Sequence, residues 1–162
     1  MSRYCVVVAD GARARFFSLE EADIGESGPN LVEHDVLVNP EAESAGKDIY
    51  SNDKSGRNAA PMGAGAHGYD DHRDSHSDEL EHRFAKKVAH EAVTAASQRQ
   101  ATRLVVVADK RMMGHLRSVI VVPPTAGFRV SELAKDLSKL SLTELHAHLA
   151  SDGMVPPREP GI

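Results

Sequence analysis

The chain has 162 residues, a formal net charge of −5 at pH 7, and 27% charged residues. This length is typical of one domain with a buried core. Because the net charge is negative, a nucleic acid could be bound only through a local basic patch, and no DNA partner is expected. The single cysteine, Cys5, excludes an intramolecular disulfide and lies in an apolar run, so we interpret it as a small buried hydrophobic residue.

The first residues of the sequence predict a strand rather than a signal peptide. Residues 4–9 are apolar, and they are not preceded by the basic and apolar regions of a signal peptide. No later run approaches the roughly 18 apolar residues of a membrane span. We therefore expect a cytoplasmic protein with no membrane partner.

The first part of the sequence predicts an antiparallel meander. Residues 4–9 form the first strand, and Asp10 and Gly11 follow as the dipeptide of a type I′ hairpin turn. Residues 12–19 alternate between the two faces of a second strand. A turn that contains glycine and proline then leads to a third strand over residues 31–38.

Residues 39–77 are the most informative stretch of the sequence. They are rich in Gly, Asp, Asn, Ser and His and contain almost no large apolar residues. A loop of this length inside a domain is uncommon, and it is usually a binding loop or disordered. We predict a flexible loop here and expect function to lie in it. Its cations Lys47, Lys54, Arg57 and Arg73 could pair with phosphates, or they are ordinary solvated charges.

A long amphipathic helix is predicted after the loop. Ser75 or Ser77, followed by acidic residues, is expected to cap its start. From Leu80 to Gln98 the apolar residues recur every three or four positions. Residues 104–108 are a continuous apolar run, typical of a strand buried on both faces. A strand, a crossover helix and a second strand predict a mixed α/β sheet.

The last part of the sequence predicts shorter elements. A short helix is expected over residues 112–120, an edge strand over residues 128–133, and a final helix that opens with a capping box at Ser141. Residues 156–162 are expected to form a loose tail. Residues 1–155 then constitute a single α/β domain.

Five segments of the chain, in this order, resemble the bacterial host attachment protein family. They are residues 7–17, 53–57, 81–85, 113–117 and 135–138. The resemblance covers residues 3–149. That family in turn resembles the middle domain of the archaeal and eukaryotic peptide-chain release factors, which implies a sheet of the ribonuclease H type.

In those release factors, a flexible loop before the long helix carries a Gly-Gly-Gln tripeptide that enters the ribosomal peptidyl transferase centre. The equivalent stretch here is residues 61–69, in which Gly63 and Gly65 are spaced and no glutamine occurs. The resemblance therefore implies a glycine-rich arm that binds the ribosome or RNA without the usual release chemistry.

A second group of basic residues follows the strand at residues 104–108. Lys110 and Arg117 could contact an RNA phosphate or a carboxylate of a partner at the start of the short helix. The alternative is that Arg117 pairs with Asp136 or another acid. Under both interpretations we expect Gly114 to tolerate a larger residue poorly.

A metal site is an alternative interpretation of the histidine-rich part of the loop. Imidazole and carboxylate groups suit zinc and other divalent metals. The residues concerned are His67, Asp70, Asp71, His72, His76 and His82. We prefer the interpretation of a polar loop that is rich in histidine, and expect neither a metal nor another cofactor.

The remaining alternative is a metal-dependent nuclease, since Asp10 and Asp109 each follow a strand and could hold magnesium. Two carboxylates are fewer than such sites use, and we predict no catalytic residue. We expect a non-enzymatic protein, and two functions remain open. One is a factor that binds the ribosome or RNA, and the other is a regulator of attachment that acts through a protein partner.

Overall fold

A five-stranded mixed sheet forms the centre of the computed structural model, in the strand order β3-β2-β1-β4-β5. The structure describes residues 3–41 and 63–161, and within the second range it describes side chains from residue 75 onward. The strands are β1 (Tyr4–Ala9), β2 (Arg13–Glu20), β3 (Asn30–Val38), β4 (Arg103–Ala108) and β5 (Arg129–Ala134).

The pairing of the strands confirms the predicted meander and the mixed sheet. β1 pairs with β2 and β2 pairs with β3 in antiparallel orientation. β1 also pairs with β4, and β4 pairs with β5, in parallel orientation. β1 and β4 are therefore interior strands, and their apolar runs are buried on both faces.

The β1–β2 hairpin is confirmed, but its turn is not of type I′. That turn needs positive φ angles at both central residues, and Gly11 is not among the described residues with a positive φ. Instead, Asp10 Oδ1 accepts hydrogen bonds from the backbone N–H of Ala12 at 2.7 Å and of Arg13 at 2.8 Å. The aspartate side chain therefore holds the turn.

The long helix α1 spans Gly63–Gln98 and has 36 residues. The prediction that the loop continues to residue 77 is therefore wrong for its last part, while residues 42–62 lie outside the described residues. Ser75 and Ser77 are capping residue types, but they lie within the helix on its exposed or half-exposed surface. Serine in a helix interior loses only a fraction of a kcal/mol relative to the best helix formers, so the helix continues through both positions.

Helices cover both faces of the sheet. α1 and α2 (Lys110–Val119) pack on one face, and α3 (Leu142–Ser151) packs on the other. Each large apolar side chain that is fully buried in this way stabilises the fold by roughly 1.5–3 kcal/mol. The largest of these on the helices are Met112, Met113, Leu116, Leu145 and Leu149.

Cys5 lies on the face that α1 covers and is buried, as predicted. Burial raises the pKa of the Cys5 thiol to about 11. A thiol that stays protonated at neutral pH is a poor nucleophile. Cys5 is therefore a residue of the core.

Both short helices begin at a capping side chain. Asp109 Oδ1 accepts a hydrogen bond from the backbone N–H of Met112 at 2.8 Å, so α2 begins slightly earlier than predicted. Ser141 Oγ accepts from the backbone N–H of Glu144 at 3.3 Å and donates to its carboxylate at 2.9 Å. The predicted capping interaction at the start of α3 is thereby confirmed.

The end of the chain is tied to the β2–β3 connection, although the sequence predicts a loose tail. Glu159 forms a β-bridge with Gly28. Arg158 Nε donates a hydrogen bond to Asn30 Oδ1 at 2.8 Å, and the backbone N–H of Gly161 donates to Ser27 Oγ at 3.0 Å. None of the described helices is long and apolar enough to cross a membrane.

Candidate functional site

The carboxyl ends of the parallel strands β1 and β4 meet at one edge of the sheet, which we call the carboxyl edge. The chain leaves β1 towards β2 and leaves β4 towards α2. In open α/β sheets, ligands bind at the carboxyl ends of strands where the connections diverge in this way. This edge is therefore the first place to look for a site.

An aspartate follows each of these two strands. Asp10 Oδ1 holds the β1–β2 turn, and its Oδ2 accepts a hydrogen bond from Ser138 Oγ at 2.9 Å. This bond joins two of the segments that carry the family resemblance. Asp109 caps α2. Each carboxylate therefore has a structural role that does not require a metal.

Five polar side chains connect α1 to α2 at the carboxyl edge, and we call them the helix-pair cluster. They are Asp78, Glu81, His82, Arg111 and His115. Arg111 lies between the two carboxylates, with Nη2 2.9 Å from Asp78 Oδ1 and Nε 2.9 Å from Glu81 Oε2. His115 Nε2 is 3.4 Å from Asp78 Oδ1, and its Nδ1 is 3.2 Å from His82 Nδ1.

The spacing of these residues explains why they meet. Asp78, Glu81 and His82 stand at positions i, i+3 and i+4 of α1, and Arg111 and His115 stand at i and i+4 of α2. Residues at these spacings share one face of a helix. From the sequence, only His82 of the five is predicted as a possible metal ligand, and Glu81 and His115 lie in segments that carry the family resemblance. The two spacings are visible in the sequence, but the sequence does not bring the five residues together.

Glu81 is the most constrained member of the cluster. Its Oε2 is buried and accepts no hydrogen bond, although Arg111 Nε is 2.9 Å away. The N–H of that nitrogen donates to Asp78 Oδ1 instead. Burial raises the pKa of the Glu81 carboxyl above its usual value, and the positive charges of Arg111 and His115 only partly oppose this effect.

Gly11 belongs to the same arrangement because the β1–β2 turn lies directly against Glu81. A Cβ atom at Gly11 would overlap Glu81 Oε1 and would lie 2.9 Å from its Cδ. Asn39 also reaches the turn, where its Nδ2 donates to the carbonyl of Gly11 at 3.2 Å. The end of β3 and the body of α1 are therefore both fixed to this turn.

The chemistry available to the cluster is limited by Arg111. Asp78, Glu81 and His115 each offer a ligand atom, and these atoms lie within 4.8 Å of one another, as in a divalent metal site. The guanidinium already lies 2.9 Å from both carboxylates, so a cation would have to displace it. The ion pairs of Arg111 and the contact between His82 and His115 join α1 to α2.

The predicted loop residues fall in two parts of the chain. Lys54 and Arg57 lie outside the described residues. Gly63, Gly65 and Arg73 lie in α1, and for these the structure describes the backbone only. The prediction that Gly63 and Gly65 belong to a loop is therefore wrong. Glycine is a poor helix former, and its abundance here suggested a loop.

The two residues of the second predicted basic group, Lys110 and Arg117, differ in their surroundings. Lys110 is exposed at the start of α2. Arg117 forms a salt bridge with Glu132 of β5, so the alternative of a paired arginine is confirmed, with an acid other than Asp136. The expectation for Gly114 is wrong, because a Cβ atom there would meet no atom within 4 Å.

The sequence model of a family described as "Protein required for attachment to host cells" matches residues 5–149, which include the turn at Gly11 and the helix-pair cluster. This is the family that the five segments of the sequence resemble. A comparison with curated proteins found no match.

Proposed function

Because this chain belongs to the family of proteins required for attachment to host cells, we propose that it serves attachment as a non-enzymatic protein that binds RNA on the ribosome. The observation that carries the proposal is the placement of α1. The helix connects the glycine-rich part of the sequence to the sheet without a break.

α1 extends beyond the carboxyl edge. Glu81 contacts the turn at Gly11, which marks this edge, and Gln98 ends the helix close to the start of β4. The helical residues 63–80 therefore continue past the edge, over roughly 27 Å at 1.5 Å per residue. We call these residues the arm.

The arm begins where the glycine-rich segment of the sequence lies. The proposal draws on the sequence resemblance to release factors, in which a glycine-rich tripeptide before the long helix reaches ribosomal RNA; here Gly63 and Gly65 lie in the first turn of α1. Arg73 in the arm, with Lys54 and Arg57 before it, supplies cations that can pair with phosphates. A long helix fixed at one end is a suitable support for such a contact.

The base of the arm is held from two sides. Leu80 and Phe84 are buried, with Phe84 in the core between α1 and the sheet, and the helix-pair cluster joins the same turns of α1 to α2. The arm therefore starts from a fixed direction. Ordering the arm before binding reduces the conformational entropy that binding would otherwise cost.

A regulator that acts through a protein partner is the second candidate. β3 is an edge strand of the sheet, and it exposes Val32, Val36 and Val38 by 37–46%. An exposed edge can accept a strand of another protein. If the protein binds no RNA, this edge is the surface to examine next.

Co-sedimentation with ribosomes tests the RNA proposal. The experiment uses about 0.1 M salt, at which charges still interact over roughly 10 Å. The triple variant carries Lys54→Ala, Arg57→Ala and Arg73→Ala. We expect the wild type to pellet with ribosomes and the triple variant to remain largely in the supernatant.

The matched control variant removes three positive charges from the described part of α1, through Arg83→Ala, Lys86→Ala and Lys87→Ala. All three residues are exposed, and the salt bridge of Arg83 with Glu79 is a surface pair of little energy. We expect this variant to pellet like the wild type. A wild type that does not pellet, or a triple variant that pellets fully, contradicts the proposal.

A further inference from the structure

The edge of the sheet opposite to the arm carries three arginines in one groove. β1, β4 and β5 begin at this edge, and Arg3, Arg103 and Arg129 stand at their starts. They line a groove of about 580 Å³, which we call the amino-edge groove. No acidic side chain of the described chain lines it.

This charge imbalance is local. The protein as a whole has a formal net charge of −5, and a groove beside the carboxyl edge, of about 920 Å³, is lined by acidic and basic residues in equal number. Of the residues that line the amino-edge groove, three are arginines and none is acidic. It therefore offers a positive potential that the net charge conceals.

The arrangement of the arginines is unfavourable for the fold alone. Arg103 and Arg129 are register partners on neighbouring parallel strands, so their side chains start from the same face of the sheet. Like charges that face each other across strands destabilise a sheet. Arg103 Nη1 donates to Ser131 Oγ at 3.3 Å, but neither arginine forms a salt bridge with an acid of the described residues. An anionic ligand would remove this repulsion.

The backbone that carries the arginines is fixed by hydrogen bonds across the strand starts. The carbonyl of Arg3 accepts from the N–H of Thr102 at 2.8 Å and of Arg103 at 3.0 Å. The carbonyl of Thr102 accepts from the N–H of Arg129 at 3.0 Å. The starts of the three strands therefore form a rigid edge, and the planar guanidinium groups of Arg103 and Arg129, which start from the same face of the sheet, suit the paired oxygens of a phosphate.

We propose that the amino-edge groove binds phosphate groups of RNA, as a second contact at the end of the sheet opposite to the arm. The proposal rests on the proposed function for the identity of the ligand. Neighbouring strands are about 4.8 Å apart, so the three strand starts span roughly 10 Å. That width suits successive phosphates of one strand better than a single phosphate ion.

Binding to a short single-stranded RNA tests the groove separately from the ribosome. The groove variant, Arg103→Ala with Arg129→Ala, is compared with a control, Arg83→Ala with Lys86→Ala, which removes the same charge from α1. Fluorescence anisotropy with a labelled oligouridylate gives the affinity at several salt concentrations. We expect the affinity of the groove variant to be lower by about tenfold. The slope of log affinity against log salt concentration should be smaller by about 1.4, since each of two lost phosphate contacts on a single strand contributes about 0.7.

Three further measurements test the groove. The double change Arg103→Lys with Arg129→Lys keeps the charge but not the planar fork, and we expect only part of the affinity to return. Thermal unfolding of the groove variant should show a midpoint no lower than that of the wild type, since a repulsion has been removed. Inorganic phosphate should displace the oligouridylate poorly.

The proposal is overturned if the groove variant binds the oligouridylate like the wild type, or if the control loses as much affinity. It is also overturned if inorganic phosphate displaces the RNA at low millimolar concentration, which would indicate a site for a single anion. Failure of the wild type to pellet with ribosomes overturns the proposed function instead. In that case, loss of oligouridylate binding in the groove variant alone would still support the groove.

Discussion

Among single residues, Gly11 and Gly114 show that a sequence motif can suggest the wrong reason for the presence of a glycine. Gly11 resembles a turn glycine, but its φ is not positive. A Cβ atom there would instead meet the end of the Glu81 side chain. Gly114 belongs to a segment that resembles the family, yet a side chain there would enter open space.

The first prediction concerns Gly114→Ala. Glycine inside a helix costs about 0.5–1 kcal/mol relative to alanine, and nothing lies near the new methyl group. We therefore expect the variant to be more stable by about that amount, measured as a higher urea midpoint with an unchanged m-value.

Gly11→Ala is the matched comparison, because its methyl group would displace the buried Glu81 carboxylate. The atoms that would move are the end of a flexible side chain, so we expect Gly11→Ala to show none of the stabilisation of Gly114→Ala rather than a large loss. A lower midpoint for Gly114→Ala, or an equally raised midpoint for Gly11→Ala, would contradict the packing described here.

The second prediction concerns the pH dependence of Glu81. Burial raises its pKa from the ordinary value of 4.5, so the folded state holds the proton more tightly than the unfolded chain. This contribution to stability is fully present below pH 4.5 and is lost as the pH rises through the pKa of the folded state. Between about pH 4 and about pH 7, we expect the wild type to lose more stability than Glu81→Gln, which does not titrate.

Urea unfolding at a series of pH values measures this difference. Glu79→Gln is a suitable control, because Glu79 lies two residues away with its side chain 58% exposed. The free energy of unfolding of Glu79→Gln should change with pH in parallel with that of the wild type over the same range. Parallel curves for the wild type and Glu81→Gln would show that Glu81 does not have a raised pKa.

Among elements, the strands and the two short helices were well predicted from the sequence. β1 and β4 are apolar runs that are buried on both faces, and α3 begins at the predicted capping residue Ser141. These signals are local, and they agree with the packing around them. Where local and tertiary preferences coincide, the sequence is sufficient.

The start of α1 was not predictable in the same way. Glycine, serine and aspartate are abundant before Leu80 and favour turns and caps over helix interiors. A helix that already packs from Leu80 onward can extend towards its amino end through such residues at small cost for each. The contacts of the candidate site were not predictable either, because Arg111 and His115 reach the α1 residues of the helix-pair cluster only through the packing of α2 on α1.

The third prediction concerns the start of α2. Asp109 caps the helix through its Oδ1, so Asp109→Ala should lower the stability by about 1 kcal/mol. Asp109→Asn should keep most of the stability of the wild type, because asparagine caps as well as aspartate. Equal losses for both variants, measured by urea unfolding, would contradict a capping role and would reopen the interpretation of Asp109 as a metal ligand.

For the whole molecule, the distribution of charge matters more than its sum. The protein is acidic overall, and the helix-pair cluster pairs its charges internally at the carboxyl edge. The amino-edge groove, by contrast, concentrates three arginines without an acid among the residues that line it. The arm extends from the carboxyl ends of the strands, and the groove lies at their amino ends. An RNA that contacts both would therefore follow the length of the sheet.

The central claim is that attachment to host cells depends on binding to RNA. The most direct test is an attachment assay with cells whose own gene carries the triple variant, beside cells with the control variant and cells without the gene. We predict that the triple variant attaches as poorly as the deletion, at an unchanged level of the protein, and that the control attaches like the wild type. Normal attachment of the triple variant, in a background where the deletion abolishes attachment, would contradict the account.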